Sequence, residues 1–219
     1  MVAVHDGDTL RLADGRDVRL VGINTPELGR DGEPDQPLAV AARRALAALL
    51  DGERRVALEL APERSDPHGR LLAHIHAADG RNLTAALLER GLGWPVAFPP
   101  NLGHLDCYTR IAAAARAAGR GVHGHAAYRA VAAADLGDSA GGFTRVHGTI
   151  GRVGRSARAW WLDLGGLSRR LAGHDLPYFD TDDPRAWRGR RLRVRGWIYR
   201  VDGDARMNLR HPAAVDWND

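Results

Sequence analysis

The sequence predicts an α+β fold, mainly β with helices, arranged in two modest domains. Its 219 residues exceed the needs of one small domain, and 44% of them are apolar, which suffices for a core in each of two. Short segments of period-two alternation recur along the whole chain, whereas the long segments of helical spacing lie before residue 130. We therefore expect a first domain over residues 1–130, a linker over 131–142 and a second domain over 143–219.

The first domain alternates between strands and helices. Alternating side chains predict four strands, at residues 9–12, 18–23, 55–60 and 70–76. Apolar residues at spacings of three and four predict three helices, at residues 38–49, 82–91 and 104–118. Asp35 and Asn82 are the expected caps of the first two helices, and Gly52 lies just past the end of the first.

Two bends in the first domain carry oxygen-bearing side chains. Asp6 and Asp8 flank a glycine immediately before the first strand. The next strand runs back through a tight Asp-Gly turn and delivers Asn24, Thr25 and Glu27 to a second bend. Because the two strands are neighbours, both groups leave the sheet at the same end. Carboxylate and amide oxygens in such an arrangement suit a hard cation.

Charge and aromatic content distinguish the two parts of the chain. Every basic residue is an arginine, and residues 1–142 hold 16 of them against 18 acids, whereas residues 143–219 hold 15 against 9. The second part also holds nine of the thirteen aromatic residues. This positive surplus indicates either a polyanionic partner or a solvated arginine-rich surface, and charge alone does not decide between them.

Four motifs of the first domain occur in an order and spacing typical of one family. They are DGDTLRL, VRLVGINTPE, DPHGR ahead of an apolar strand, and a helix that leads into GLGW. Each motif alone is only a turn signal, but the four together are specific. The first 128 residues therefore resemble the staphylococcal nuclease (thermonuclease) family. The resemblance implies a five-stranded barrel of the OB type with three helices for this domain.

The resemblance also implies calcium-dependent hydrolysis of phosphodiester bonds in DNA and RNA, with little base specificity. The two arginines of the implied site would grip phosphate oxygens, and its glutamate would deprotonate or orient the attacking water. The implied catalytic residues are Arg19, Glu27 and Arg70. The implied Ca2+ ligands are Asp8, Asn24 and the backbone carbonyl of Thr25, with Asp6 in support.

Asn24 departs from the family pattern, which usually has a second metal-binding aspartate at that position. The site therefore has one negative charge fewer. Because the affinity of oxygen sites for calcium follows ligand charge, we expect Ca2+ to bind about tenfold more weakly, or on the order of 1.4 kcal/mol. The alternative is a catalytically silent member of the fold that binds nucleic acid or protein, although such copies usually lose several site residues.

The second domain is predicted to be a small OB-like β-barrel. Alternation predicts strands at residues 146–153, 157–164, 190–201 and 205–210, with one helical turn over 183–187. In the third strand one face carries arginines and stacking rings, namely Arg191, Arg193, Arg195, Trp197 and Tyr199. This face predicts contact with single-stranded nucleic acid, and VRGWI followed by DGDAR is similar to OB-fold nucleic-acid-binding domains. The alternative is a packing face or a docking surface for a protein.

Two pairs of histidines have two-residue spacing, namely His74 with His76 and His123 with His125. Either pair could bind zinc, but no third ligand is evident from the sequence, so structural or surface roles are favoured. Cys107 is the only cysteine, which excludes an intrachain disulfide. Its helical position predicts a buried small side chain.

The predicted partners are DNA and RNA. No obligate protein partner is evident, and no apolar run is long enough to span a membrane. The family habit of export, together with a first strand reduced to a short remnant before DGDT, favours a secreted or periplasmic protein with a processed N-terminus. A cytoplasmic location is the alternative.

Overall fold

The structure is a computed structural model that describes residues 3–50, 55–137 and 140–218. The chain divides into two compact units, Met1–Ala127 and Tyr128–Asp219. Each unit has its own buried hydrophobic core. Within the described residues, no helix has the length and apolar character that crossing a membrane requires.

The first unit combines a five-stranded sheet with three helices. Its strands are β1 (Ala3–Val4), β2 (Thr9–Arg11), β3 (Asp17–Leu20), β4 (Ile23–Asn24), β5 (Ala57–Ser65), β6 (Leu71–His76) and β7 (Trp94–Pro95). Its helices are α1 (Ala39–Leu49), α2 (Leu83–Glu89) and α3 (Leu105–Ala117). The sheet order is β1-β2-β3-β6-β5 with β3 and β6 parallel, and β4 and β7 form a separate pair. The predicted α+β class is confirmed, and this sheet agrees with a five-stranded barrel of the OB type.

The core of this unit lies between the sheet and the helices. Leu10, Val18 and Leu20 alternate along β2 and β3 and are fully buried. Leu46 of α1 and Leu87 of α2 are fully buried against them in the same cluster. Burying one such side chain stabilises the fold by about 1.5–3 kcal/mol. The strands next to the two predicted bends are therefore anchored in the core of the unit.

The ends of the helices correct one predicted cap and confirm another. α1 begins after Leu38, which has a left-handed φ of 69° and provides no side-chain cap. Asp35 does not cap α1, because its carboxylate accepts a hydrogen bond from the backbone N–H of Gly29 (2.9 Å). Asn82 caps α2 as predicted, accepting the backbone N–H three residues further on (2.9 Å). Gly52 lies outside the described residues.

Cys107 is exposed, so the prediction of a buried cysteine is wrong. Tyr108, the next residue of α3, is 1% exposed and takes the position that faces the core. Successive residues of a helix are about 100° apart around its axis. With Tyr108 turned inward, Cys107 is turned toward the solvent.

The strand predicted at residues 18–23 is interrupted at Gly22. β3 ends at Leu20, and Gly22 has a φ of 85°, a conformation that residues other than glycine rarely adopt. A Cβ atom at this position would lie 2.5 Å from ring carbons of Tyr108. The bend redirects the chain, so that β4 pairs with β7 instead of extending the main sheet.

The second unit is built on an eight-stranded sheet. Its strands are β8 (Val131–Ala132), β9 (Gly142–Thr149), β10 (Arg152–Arg155), β11 (Ala159–Asp163), β12 (Ser168–Ala172), β13 (Arg191–Val201), β14 (Asp204–Asn208) and β15 (Val215–Asn218). The order is β10-β11-β12-β14-β13-β9-β8, and β15 also pairs with β13. β10 lies at one end of this order and β9 lies near the other end, but only two residues separate them in the chain. β9 and β10 therefore act as one bent strand that joins the two ends of the sheet. This closes the sheet into the OB-like barrel that the sequence predicts.

Three strands of the second unit were not predicted, namely β8, β12 and β15. β8 lies within residues 131–142, the predicted linker, and pairs in parallel with β9. β12 lacks a recognisable alternation because Arg169, at a core position, is fully buried between the partly exposed Ser168 and Arg170. Three consecutive polar residues conceal the inward and outward faces of this strand. The predicted helical turn is present as a 3-10 turn, Pro184–Trp187.

Replacing Gly22 with alanine is expected to lower the free energy of unfolding by about 3 kcal/mol or more, because backbone strain and the clash with Tyr108 add. Gly15→Ala is the matched control. Gly15 has a φ of 87°, but nothing lies within 4 Å of an added Cβ, so this variant measures backbone strain alone, about 1–2 kcal/mol. Urea denaturation followed by circular dichroism provides the comparison. Equal losses in the two variants would contradict a role for the Tyr108 contact.

Candidate active site

The bend that carries Asp6 and Asp8 packs directly against the second bend. The backbone N–H of Asp8 donates to the Asp6 carboxylate (3.0 Å), which closes the turn. A side chain on Gly7 would not fit, since a Cβ there would lie 2.6 Å from Thr25 Oγ1 and 2.6 Å from the Cβ of Ala42. The glycine therefore lets the two bends approach until Asp8 reaches Thr25.

Asp8 lies at the centre of the hydrogen bonds between these elements. It is 3% exposed, and both of its carboxylate oxygens are engaged. Oδ2 accepts hydrogen bonds from the backbone N–H (2.9 Å) and the hydroxyl (3.1 Å) of Thr25. Oδ1 lies 3.0 Å from Nε of Arg19 and accepts a hydrogen bond from the Thr9 hydroxyl (3.2 Å). One carboxylate thus joins the second bend to β2 and β3.

Burial raises the pKa of the Asp8 carboxyl. Arg19 opposes this effect, Asp6 adds to it, and the hydrogen bonds from Thr25 lower the pKa without cancelling the shift. The negative charge of Asp8 is therefore only partly stabilised by its neighbours. A cation placed against this carboxylate would stabilise the charged form further.

Asn24 belongs to the same group of contacts. It is 2% exposed, and its side-chain oxygen lies 3.5 Å from a terminal nitrogen of Arg19. Its amide nitrogen donates to the backbone carbonyl of Thr25 (3.4 Å). Because Arg19 also pairs with Asp8, a single guanidinium group contacts two of the three predicted metal ligands. The structure therefore brings Asp8, Asn24 and Thr25 together.

Arg70 reaches this group from a turn that lies 61 residues after Thr9. Asp66 orients it, with an ion pair of 2.7 Å between Nε of Arg70 and a carboxylate oxygen. Burial alone would raise the pKa of Asp66, but hydrogen bonds from Arg70 hold that pKa below its ordinary value. A terminal nitrogen of Arg70 donates to the Thr9 hydroxyl (3.3 Å), the same hydroxyl that binds Asp8. Both predicted phosphate-binding arginines therefore belong to one connected group.

Glu27 is an exposed residue two positions after Thr25 in the second bend. Its backbone N–H donates to the side chain of Gln36 (2.9 Å), and the backbone N–H of Gln36 donates to its carbonyl (2.9 Å). These bonds hold the base of the loop that follows. Partial burial of the carboxyl raises the pKa of Glu27, and the charges of Asp8 and Asp6 raise it further. Of the predicted site residues, Glu27 is therefore connected to the group through charge, whereas Asp8, Asn24, Thr25, Arg19 and Arg70 are connected through hydrogen bonds and ion pairs.

The donor chemistry of the group fits a calcium ion. The potential ligands are all oxygens, from the carboxylates of Asp6 and Asp8, the amide of Asn24 and the carbonyl of Thr25. Calcium prefers such mixed oxygen ligands. The partly stabilised charge of Asp8 agrees with a cation at this place. Two site residues were missed by the sequence analysis, Thr9 and Asp66, although both lie within the motifs DGDTLRL and DPHGR.

Comparison with known proteins identifies this part of the chain. Residues 17–123 match the family model described as staphylococcal nuclease homologue. The match covers slightly less than half of the chain and includes most of the motifs singled out in the sequence. The predicted resemblance to this family is thereby confirmed. The chain is also similar to the thermonuclease of Staphylococcus intermedius, with 38% identity over 101 residues, which is 45% of this chain. The match covers 59% of that relative's length.

The predicted nucleic-acid face lies on β13 of the second unit. Leu192, Val194, Gly196 and Ile198 point into the core, and the five residues that alternate with them are partly or fully exposed: Arg191, Arg193, Arg195, Trp197 and Tyr199. Trp197 is 38% exposed, and its ring lies 4.8 Å from that of Phe143 on the adjacent strand. Arg195 pairs with Asp216 (3.9 Å) and donates to the carbonyl of Ala213.

The same face continues onto residues of β14 and β11. The sequence analysis predicted strands in both places but did not assign their residues to this face. Arg206 lies opposite Tyr199 in the register of β13 and β14. Its guanidinium stacks over the ring of Trp161 at 5.3 Å. Tyr199 donates to Asn208 (3.3 Å). Rings and arginines therefore alternate over several strands of this barrel, and the pairing of strands that brings them together is not visible in the sequence.

Proposed function

We propose that the protein is a calcium-dependent endonuclease that hydrolyses phosphodiester bonds of DNA and RNA with little base specificity. The observation that carries the proposal is the connection of Arg19 and Arg70 to one buried carboxylate, Asp8, with the Thr9 hydroxyl as the link to Arg70. Two guanidinium groups beside a carboxylate and a raised-pKa glutamate suit phosphoryl chemistry. The similarity to a protein named thermonuclease supports the same assignment.

In this proposal, Arg19 and Arg70 bind the scissile phosphate. A guanidinium group presents its N–H donors in a planar fork that matches phosphate oxygens. Ion pairs with Asp8 (3.0 Å) and Asp66 (2.7 Å) orient the two forks before the substrate arrives. The five-coordinate transition state has more negative charge than the ground state, so the two arginines stabilise it more strongly.

Glu27 accepts the proton of the attacking water. Partial burial and the charges of Asp8 and Asp6 raise the pKa of Glu27, which makes its carboxylate a stronger base. The water oxygen forms a bond to phosphorus while its proton moves to Glu27. The bond from phosphorus to the leaving sugar oxygen breaks, the electron pair stays on that oxygen, and a proton from solvent water converts it to the alcohol. Because Glu27 is exposed, water reaches it from the solvent.

Asp8, Asn24 and the carbonyl of Thr25 would hold the calcium ion, with Asp6 in support. When bound, the ion supplies positive charge that polarises a phosphate oxygen. Asn24 offers an oxygen without a charge, so the site is weaker than one with two aspartates. All the named groups act on phosphate, water or metal, and none reads a base, which is the reason for proposing little base specificity.

The second unit would help to hold nucleic acid. The exposed ring of Trp197 provides a stacking surface, and the arginines of the same face provide charge for the backbone of a single strand. The alternative is a protein-docking surface. It predicts that substitutions on this face leave the binding of single-stranded nucleic acid unchanged.

Cleavage of plasmid DNA and of RNA, each with calcium, magnesium or a chelator, tests the proposed activity. Wild type with calcium is expected to degrade both, and the chelator is expected to stop the reaction. Glu27→Gln should lower the rate by about 100-fold or more, because it removes the proton acceptor. Glu33→Gln, in the same loop, is the control that should retain activity. Absence of cleavage under every condition would instead favour the catalytically silent alternative.

Restoring an aspartate at position 24 tests the proposed metal ligands. Asn24→Asp adds one charge to the site, so the calcium concentration for half-maximal cleavage is expected to fall about tenfold. The measurement is the initial rate of cleavage across a calcium titration of both proteins. An unchanged half-maximal concentration would show that Asn24 does not act on the ion.

Binding of a fluorescent single-stranded oligonucleotide tests the face on β13. In the Glu27→Gln background, which keeps the ligand intact, Trp197→Ala is expected to weaken binding about fivefold or more, as one stacked base is lost. Arg191→Gln should lower the salt dependence of binding by about one counterion. Tyr178→Ala removes another exposed ring of this unit and serves as the control. Unchanged binding in both test variants would favour a protein-docking surface.

A further inference from the structure

Three side chains from three separate elements converge in the first unit, away from the site described above. Glu59 comes from β5, His76 from the end of β6, and His104 is the residue that precedes α3. One ligand atom from each lies within 4.8 Å of the other two. The register of β5 and β6 places Glu59 directly opposite His74, two residues before His76, so Glu59 and His76 share one face of the strand pair.

We propose that Glu59, His76 and His104 bind a divalent transition-metal ion, Zn2+ above all. Oε2 of Glu59 lies 2.9 Å from Nε2 of His104 and 3.6 Å from Nε2 of His76. Ligands of a tetrahedral zinc ion, each about 2.0–2.2 Å from the metal, are roughly 3.3 Å apart. The three atoms therefore need only small side-chain movements to surround an ion.

The ligand types separate this site from the calcium site. Two imidazoles with one carboxylate suit zinc and its neighbours, whereas calcium prefers oxygen ligands alone. The side chains of Glu59, His76 and His104 are 54%, 27% and 38% exposed, so an ion can enter from the solvent. A water molecule would complete the coordination, as in zinc sites with three protein ligands.

His74 supports the site and is not one of its ligands. It is 2% exposed, and its Nδ1 lies 2.9 Å from the hydroxyl of Tyr108. Its Nε2 faces the backbone of Gly103, where an added Cβ would be 2.8 Å away. These neighbours fix the ring of His74. Its centroid lies 4.7 Å from that of His104, so the fixed ring of His74 supports the ring of His104. The sequence showed no further ligand for His76. In the structure, Glu59 from β5 and His104 from the start of α3 supply the other two.

The proposed zinc site lies at the opposite end of β6 from Arg70, one of the two arginines proposed to bind phosphate. His76 and Arg70 are six residues apart on one extended segment, which corresponds to roughly 20 Å at about 3.3 Å per residue. An ion at the proposed site therefore does not touch the scissile phosphate. Its role is structural, because it would join β5, β6 and the start of α3. An ion that binds only the folded chain raises the unfolding temperature.

Calorimetric titration of the metal-free, full-length protein with Zn2+ tests the proposal without any assay of cleavage. One equivalent is expected to bind and to raise the unfolding temperature. Co2+ in place of zinc should give the visible absorption of a tetrahedral site. Glu59→Gln, His76→Gln and His104→Gln should each weaken zinc binding by about tenfold or more. Because these side chains are exposed or partly exposed, each variant is expected to fold without metal. A thermal unfolding transition measured in the presence of a chelator checks this for each variant.

His5→Gln is the matched control, since His5 pairs with Asp17 (3.1 Å) on the same unit, in a histidine–carboxylate pair outside the three-residue cluster. It should leave zinc affinity unchanged. Excess Ca2+ should not displace the zinc. Three results would each overturn the proposal, namely no zinc binding by wild type, zinc affinity as high in all three ligand variants as in wild type, or displacement of zinc by calcium. The outcome is independent of whether the protein cleaves nucleic acid.

Discussion

The buried carboxylate of Asp8 holds the candidate active site together. Its four close contacts come from Thr25, Arg19 and Thr9, so one side chain connects the second bend with two neighbouring strands. A buried carboxylate is costly unless hydrogen bonds and opposite charge surround it. The chain meets this requirement with a glycine at position 7, which permits the close approach of the bends. Arg70 then attaches through Thr9, so the positions of both arginines proposed to bind phosphate depend on Asp8.

The two units share a strand order and use it differently. In each, the third strand of a five-stranded barrel pairs in parallel with the fifth, β3 with β6 and β12 with β14. The first unit places its reactive groups on bends and turns, where backbone and side chains converge. The second presents rings and arginines on the strands themselves, where a period of two spaces them regularly. Under the proposed function, one architecture would thus support both a compact site for a single phosphate and an extended surface for a nucleic-acid strand.

Local patterns predicted much of this molecule. The bends around Asp8 and Asn24 follow from adjacent residues, and the alternation in β13 follows from chemistry repeated every second residue. Prediction failed where contacts made in the folded chain differ from what the local sequence pattern indicates. Asp35 bonds to Gly29 instead of capping a helix, and the fully buried Arg169 conceals a strand. The cluster of Glu59, His76 and His104 could not be predicted, because its members come from two strands and the start of a helix, and only the folded chain brings them together.

The parallel pairing of β3 with β6 has a consequence for the order in which the chain acquires structure. Val18 pairs with Leu71, more than fifty residues later, so a long loop must close before this contact forms. Contacts of such separation slow folding, because chain entropy is lost before the pairing stabilises the product. During synthesis the bends with Asp8 and Asn24 leave the ribosome well before β6 does. A chain that has emerged only as far as β5 therefore contains every proposed calcium ligand but lacks Arg70, the second arginine proposed to bind phosphate.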